Sequence, residues 1–403
     1  MSPVQRRQDT SVALLQRLVL ANFASRAGLT RQQLEELTGL SRTVVAGVVG
    51  TLVERGELVQ MRQSPVPGLR GRPPARYQRP ALLAPVLLIR LVRDGSTAAC
   101  LVSGDNTSGA VVDCAPWWQN WGDWSRSVAQ AAKRLSDPAQ LPPRAAVVSM
   151  PFPVADGHGA PSLYGGPRKI LKMAGKQMPP QPHWLDFDRQ RELSYLLGCT
   201  ALPVNDANLA ALGEARFGAG RGYRAVVHVS VVNGVGAGLV LGGQLFTGAH
   251  GFAGELAHLR ITPDGYPCDC RDRGCLAAEQ GALRLGIVND AVRAPEWNQG
   301  PGEPAAGRQM PAPPDYLTGL GRLIGRALAP LLTAVDPDCL VVDAGLGESG
   351  QHFVAAVSLE LGRSCPPPVA TGLTVVAGEL RDADRHGALA LADAYATALL
   401  VAD

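Results

Sequence analysis

Residues 254–275 read GELAHLRITPDGYPCDCRDRGC, and within them His258, Cys268, Cys270 and Cys275 form the pattern H-x9-C-x-C-x4-C. One imidazole and three thiols fall within eighteen positions, with Pro263, Gly265 and Gly274 among them to turn the chain. That donor set suits a tetrahedral zinc ion, and four protein ligands leave no position for water. A closed site of this kind is structural: metal-binding free energy becomes folding free energy, and no activated water results. The stretch therefore predicts a zinc-clipped loop that fixes Glu255 and His258.

The chain around this loop has 403 residues, 46% hydrophobic and 18% charged, which is enough for two or three domains with full cores. No run of eighteen apolar residues occurs, and the start, MSPVQRRQDT, lacks a signal-peptide apolar region. A soluble, cytoplasmic protein with no membrane partner is expected. Three of the eight cysteines lie in the cluster; Cys100, Cys114, Cys199, Cys339 and Cys365 sit among apolar or loop neighbours. They read as buried or idle thiols of a reducing compartment.

Charge is unevenly placed. Residues 1–80 hold twelve arginines, no lysine and five acids, a net +7, so the rest carries −4 of the overall +3. A basic N-terminal segment on a mildly acidic body is the layout of a DNA-binding domain joined to a regulatory one.

The N-terminal pattern agrees. Residues 11–24, SVALLQRLVLANFA, place Val12, Leu15, Val19 and Leu20 on one helical face. Thr30 caps RQQLEELTGL, with Gln33 at capping-box spacing, and Ser41 caps RTVVAGVVGTLVERG; Gly39 and Gly56 are stops. Two capped helices joined at TGLS, after a third, describe a helix-turn-helix. ELVQMRQSPVPGLRGRPPARYQ then supplies a strand, a turn and a second extended piece, the wing. The second capped helix would enter the major groove, with Arg42, Thr43 and Ala46 facing bases and Ser41 near a phosphate. Val44, Val45, Val48, Leu52 and Val53 are expected to pack inward, and Gly47 lets DNA backbone approach or simply weakens the helix. Arg70 and Arg72, in Arg-Gly-Arg-Pro-Pro, either reach a narrow minor groove or belong to a stiff linker.

From Pro85 onward, apolar strands alternate with helical stretches, an α/β pattern. Asn233–Gly238, NGVGAG, lies between two strands and reads as a hairpin whose glycines admit a ligand phosphate or another backbone. In PVNDANLAALGE, Asn205 and Asp206 stand at a strand end before a helix. A carboxylate there can take a hydroxyl proton and bind polyol oxygens, or Asp206 or Asn208 simply caps the helix. Trp117, Trp118, Trp121 and Trp124 suit stacking on a carbohydrate or, by preference, packing against a core or dimer surface.

Taken together, TGLSRTVV, GRPP, VNDAN, NGVGAG, GELAH and CDCRDRGCL resemble the ROK family of bacterial sugar-responsive repressors and sugar kinases. The resemblance covers nearly the whole chain. It implies an α/β, two-lobed actin/hexokinase-like (ribonuclease H-like) body with an N-terminal all-α winged helix-turn-helix domain. The expected boundaries are 1–66 for the DNA-binding domain, 67–84 for the linker and 85–403 for the body. By resemblance Asp206 stands at the kinase base position, and Asn205, Asp206, Glu255 and His258 at sugar-hydroxyl positions, with His258 also a zinc ligand.

Departures from the family pattern redirect the function. Kinases of the family open the body with a D-x-G-G-T phosphate loop; here, in LLIRLVRDGSTAAC, Arg90 stands in place of the aspartate and the paired glycines are missing. Phosphoryl transfer depends on holding phosphate and Mg²⁺, so catalysis is expected to be lost. LVVDAGLG departs likewise. The family's Cys-Leu-Glu appears as Cys275-Leu276-Ala277, with Glu279 two residues on as a substitute ligand if the helix turns suitably. The family's P-G-P-V is Pro151-Phe152-Pro153-Val154, where the phenylalanine fills space beside a sugar. The expected function is a non-enzymatic transcriptional regulator, a repressor with structural zinc, acting as a homodimer or homotetramer on a double-stranded operator. Its effector would be a sugar or sugar phosphate. The alternatives are an ATP-dependent sugar kinase with a DNA-binding head and a constitutive regulator with a decayed sugar site.

Overall fold

Thr30 opens the first capped helix in the way its sequence requires. Its hydroxyl accepts the Gln33 amide at 3.2 Å, while the Gln33 side chain accepts the Thr30 amide at 3.0 Å, a complete capping box. The computed structural model describes residues 15–16, 18–19, 28–55, 57–61, 74–79, 84–92, 95–104, 109–136, 141–155, 158–159, 184, 189–231, 235–268, 270, 272–284, 314–342 and 350–402. Of the expected first helix, Leu15, Gln16, Leu18 and Val19 are described, and they are helical. Arg70 and Arg72 lie outside the described residues.

Helix α1 (Arg31–Thr38) ends at Gly39 in the left-handed conformation, and α2 (Arg42–Glu54) follows at 117° to it. Ser41 is the N-cap of α2 by position, but its side chain makes no capping bond, and the helix ends at Arg55. The segment is not purely helical: β1 (Leu29–Thr30), β2 (Val59–Gln60) and β3 (Arg76–Gln78) form an antiparallel sheet in the order β1-β3-β2. Strands β2 and β3 fall where the wing was expected. Val19, Leu34, Val45, Val48, Val49, Leu52, Leu58 and Tyr77 form a core drawn wholly from this segment. Val53, expected to pack, is instead 37% exposed, because the core-facing stripe runs through Val45, Val49 and Leu52.

The remainder is built on two five-stranded sheets. The first holds β4 (Val86–Leu91), β5 (Thr97–Val102), β6 (Val111–Cys114), β7 (Ala145–Met150) and β10 (Thr200–Asn205), in the order β6-β5-β4-β7-β10. A short hairpin, β8 (Val154–Ala155) with β9 (His158–Gly159), follows β7. The second holds β11 (Ala225–Ser230), β12 (Gly236–Leu241), β13 (Gln244–Phe246), β14 (Cys339–Val342) and β15 (Thr374–Ala377), in the order β13-β12-β11-β14-β15. Each sheet has an antiparallel three-strand meander whose first strand continues into a parallel trio. The same topology therefore occurs twice, as the actin/hexokinase-like fold requires.

Helices cover both faces, which explains the near-continuous apolar runs of the parallel strands. On the first sheet, α3 (Trp121–Leu135) and α4 (Gln190–Leu197) pack with Leu87, Ile89, Trp117 and Trp124. On the second, α7 (Pro314–Val335) and α8 (Gly350–Ser364) pack beneath Val227, Val229 and Leu340. The connections α6 (Leu276–Arg284) and α9 (Pro367–Gly372) complete that side.

Between the sheets lie α5 (Asp206–Phe217) and α10 (Ala383–Ala402), which contribute to the cores of both: Leu209, Ala388 and Ala392 to the first, Ala211, Leu212 and Ala390 to the second. The two helices touch backbone to backbone. A Cβ added at Gly213 would lie 2.0 Å from the Ala383 carbonyl oxygen, and one at Gly387 would lie 1.8 Å from that of Leu209. Among the described residues no single helix is long and apolar enough to cross a membrane.

Because nothing can shift without moving backbone, Gly387→Ala is expected to cost about 3 kcal/mol. Gly362→Ala, in α8 with open space around its Cβ position, is expected to gain about 0.5–1 kcal/mol. Thermal unfolding of the two variants against the parent checks both signs.

Candidate functional site

Two loops converge on the start of β12. Gly254 presses against it: a Cβ there would lie 2.4 Å from the Ala237 carbonyl oxygen, so the chain leading to Glu255 runs flush with the strand. On the other side, Cβ atoms at Gly236 and Gly238 would meet Ala207 at 2.9 Å and Ala211 at 2.6 Å. These glycines therefore admit the backbone of α5, the second of the two readings of NGVGAG; Asn233 and Gly234 lie outside the described residues. The consequence is that α5, whose head carries Asn205 and Asp206, and the chain leading through Glu255 into the turn Leu256–His258 both pack against β12.

Asn205, rather than Asp206 or Asn208, is the N-cap of α5. Its Oδ1 accepts the Asn208 amide at 3.1 Å, and its Nδ2 donates to the Phe152 carbonyl at 3.2 Å. The carboxylate of Asp206 accepts the Ala207 amide at 2.8 Å and stays partly exposed in the first helical turn, where the helix dipole favours negative charge. Asn208, read from the sequence only as a possible cap, adds a buried carboxamide to this first turn. It is 4% exposed, and among the described residues its Oδ1 has no hydrogen-bond donor, so a donor such as a hydroxyl would satisfy it. Its only sequence signal was a second carboxamide three residues after the first.

Phe152 is buried and meets Trp117 edge to face at 5.9 Å, so its ring belongs to the core and its carbonyl positions Asn205. The tryptophans pack rather than present a platform. Trp124 stacks on Trp184 at 4.8 Å, Trp121 meets Trp184 at 5.3 Å, and Trp118 is the exposed member of the predicted four. Arg90, at the end of β4, is held by Asp384, with Nε to Oδ2 at 2.5 Å and Nη2 to Oδ1 at 3.0 Å, and lies 3.8 Å from Asp382. The strand end where the kinase pattern has an aspartate thus carries a guanidinium fastened to α10.

The cluster at residues 258–275 assembles as its spacing predicts. The donor atoms of His258, Cys268, Cys270 and Cys275 all lie within 4.8 Å of one another. His258 Nδ1 is 3.5 Å from Cys268 Sγ, and Cys270 Sγ is 3.5 Å from Cys275 Sγ, separations that fit four ligands around one tetrahedral ion. Burial, and then the neighbouring thiols, push the Cys275 thiol well above its usual range; burial also raises Cys268. A metal must therefore displace protons to bind, and its charge supplies what burial withholds.

Backbone bonds close the loop: Ile261 N–H donates to Gly274 O at 2.8 Å and Gly274 N–H to Tyr266 O at 2.8 Å. Gly274 has φ +70°, and a Cβ there would lie 1.6 Å from Thr262 O. Glu279, from α6, accepts the Tyr266 amide at 2.8 Å, and its carboxylate occupies the space beside Gly265. The structure thus commits Glu279 to bracing the metal loop. The cysteines outside the cluster are free thiols, and burial pushes Cys114 and Cys339 up to about 11, which leaves them protonated and inert at neutral pH.

At the N-terminal end, Ser41, Arg42 and Thr43 are exposed on the first turn of α2, and Ala46 is half-buried one turn on. Among the described residues, no atom lies within 4 Å of a Cβ placed at Gly47.

Residues 171–394 match the ROK family. The chain is 32% identical over 216 residues to a glucokinase of Streptomyces coelicolor, covering 49% of this chain and 66% of that protein, just under two thirds of its length. It is 24% identical over 282 residues to the xylose repressor of Bacillus subtilis, covering 66% of each. Among solved structures, a ROK family transcriptional regulator, a homolog of the E. coli MLC protein, superposes with a TM-score of 0.68 at 20% identity, covering 97% of this chain and 98% of that one.

The metal reading is checked by content and stability together. The purified protein is expected to hold about one zinc per chain, and Cys270→Ser to lose most of it along with several kcal/mol of stability. Elemental analysis and thermal unfolding, with and without added zinc, read both; a metal-free parent of unchanged stability contradicts the site.

Proposed function

The chain belongs to the ROK family, and from that premise we propose that it is a DNA-binding transcriptional regulator, a repressor, with a structural zinc and no kinase activity. The observation that carries this reading is at the N-terminus. Helices α1 and α2 cross at 117°, the crossing of a helix-turn-helix, and α2 opens on exposed Ser41, Arg42 and Thr43. The +7 balance of residues 1–80 supplies the field that draws this segment to a duplex. In this reading residues 1–66 are the winged helix-turn-helix, with β2 and β3 its wing, 67–84 the linker, and 85–403 the sensing body. Arg42, Thr43 and Ala46 read base edges, Ser41 meets a phosphate, and Arg70 and Arg72 lie along the minor groove. A homodimer would set the two recognition helices on a two-fold operator.

The effector in this proposal is a sugar or sugar phosphate, in line with the xylose repressor and the glucokinase among its relatives. Asp206, Glu255, His258 and Asn208 are its ligands, with Asn205 holding the first turn of α5 in place. Zinc would tie His258 to the loop, and so fix one side of the ligand site without touching the reaction centre of any chemistry. Glu279 acts on the same site indirectly, through Tyr266.

A second reading is favoured by the glucokinase identity: a sugar kinase carrying a DNA-binding head, with Asp206 as base. Against it stands Arg90. Its guanidinium, clamped by Asp384, puts a fixed positive charge where kinases of the family place an acid for metal and phosphate.

Under the regulator reading, Arg42→Ala is expected to weaken operator binding by about 1–3 kcal/mol and relax specificity, while Arg70→Ala lowers affinity for all sequences and flattens the salt dependence. Gel shifts on genomic binding sites and on random duplex at two salt concentrations measure this; equal, unchanged binding of both duplexes rejects the reading. A thermal-shift screen of hexoses, pentoses and their phosphates finds the effector, since a ligand selective for the native state raises its stability. ATP turnover on the same sugars, abolished by Asp206→Asn, would establish the kinase instead.

A further inference from the structure

The four donors of the metal loop are not equally placed. Cys268 and Cys275 are buried, at 6% and 1% exposure, whereas Cys270 is half-buried and so meets solvent first. Within the cluster, Cys268 Sγ faces His258 Nδ1 and Cys270 Sγ faces Cys275 Sγ, both at 3.5 Å. The first pair cannot form a disulfide. The second can.

Chain geometry favours that second pair. A disulfide holds its sulfurs at about 2 Å, so these two must close by about 1.5 Å. The chain there already doubles back: Pro267 pairs with Arg273, Arg260 pairs with Cys275, and Gly274, at φ +70°, reverses direction beside Cys275. Cys268 and Cys270 are separated by a single residue, and a ring that short distorts the torsion about the sulfur–sulfur bond.

Sulfur bound to zinc is a thiolate, the nucleophilic form. A partly exposed thiolate with a second sulfur within reach is the arrangement that hydroperoxides oxidise to a disulfide. Outside the cluster, burial works against this reaction. Cys100, Cys339 and Cys365 sit in buried cores, and burial raises the thiols of Cys114 and Cys199, keeping them protonated.

We propose that Cys270 and Cys275 are a peroxide-sensitive pair, and that their oxidation to a disulfide takes two of the four donors from the metal loop. Cys270 Sγ attacks one oxygen of the hydroperoxide, the O–O bond breaks, and one water leaves after taking up a proton. Cys275 Sγ then attacks the sulfenic Cys270 Sγ and displaces its oxygen, which takes a second proton and leaves as water. Two thiolates lose two electrons and the peroxide gains them. His258 and Cys268 remain, two donors where zinc takes four, so the ion is released. The backbone bonds of Ile261 and Gly274 and the Glu279 brace involve no sulfur, so oxidation unties His258 without dismantling the loop. The inference rests on the zinc reading and needs neither DNA nor a sugar.

Hydrogen peroxide added to the zinc-loaded full chain tests it. Released metal is read with a chromogenic chelator, and cysteines by alkylation and non-reducing peptide mapping. About one zinc is expected per disulfide formed, with Cys270 joined to Cys275, Cys268 still alkylated, and dithiothreitol with zinc restoring the site. Cys270→His keeps four donors but has no pair to close, and its zinc release is expected to be about tenfold slower. Should that variant not hold metal, the parent's map decides alone. A disulfide that includes Cys268, or cluster cysteines oxidised to sulfinic acid with no disulfide, overturns the proposal. So does zinc kept through the formation of the Cys270–Cys275 bond. A parent that carries no zinc before treatment removes the zinc reading instead, and the map still judges the pair.

Discussion

Everything in the body of this protein is arranged around the backbone contact between α5 and α10. Two sheets of the same topology each need a cover on their inner face, and one helix pair serves both. That double duty fixes the separation of the helices: Leu209 and Ala388 must fill one core while Ala211 and Ala390 fill the other. Glycine at 213 and 387 is the condition for it. The buried Glu214 secures the end of α5 by accepting amides from Ala219 and Leu380, both at 2.8 Å, so the helix is anchored at its far end too.

This constraint also explains how the candidate site is made. The residues around it come from segments far apart in sequence, yet none is placed by its own loop alone. Asp206 is placed by α5, Glu255 by the fit of Gly254 against β12, and His258 by its grouping with Cys268, Cys270 and Cys275. The cluster is a local device with a distant effect, since the same loop that gathers four donors is braced by Glu279 and holds the turn carrying Glu255.

How much of this the sequence could announce depended on range. The grouping of His258 with the three cysteines was legible because these donors are close in the chain and their spacing suits coordination geometry. The strands were legible as apolar runs because both faces of the parallel trio are covered. Capping at Thr30 was legible because Gln33 is three residues away. The strand order was not, because pairing such as β11 with β14 joins segments more than a hundred positions apart. For the same reason Trp184, alone in its stretch, gave no hint that it would stack on Trp124, and Arg144 none that its partner was Asp393. At Glu279 the limit was angular: only the actual turn of α6 shows that its carboxylate faces Tyr266 rather than a ligand.

The packed indoles have one more consequence. Trp117 donates from Nε1 to the Val92 carbonyl, two residues beyond Arg90, and rests against Phe152, whose carbonyl holds Asn205. Trp121, Trp124 and Trp184 lie in van der Waals contact behind it. The strand end is therefore wired to the brightest chromophores in the chain. A displacement of that strand end must move the indoles, and so alter the ultraviolet emission and near-ultraviolet dichroism of the protein.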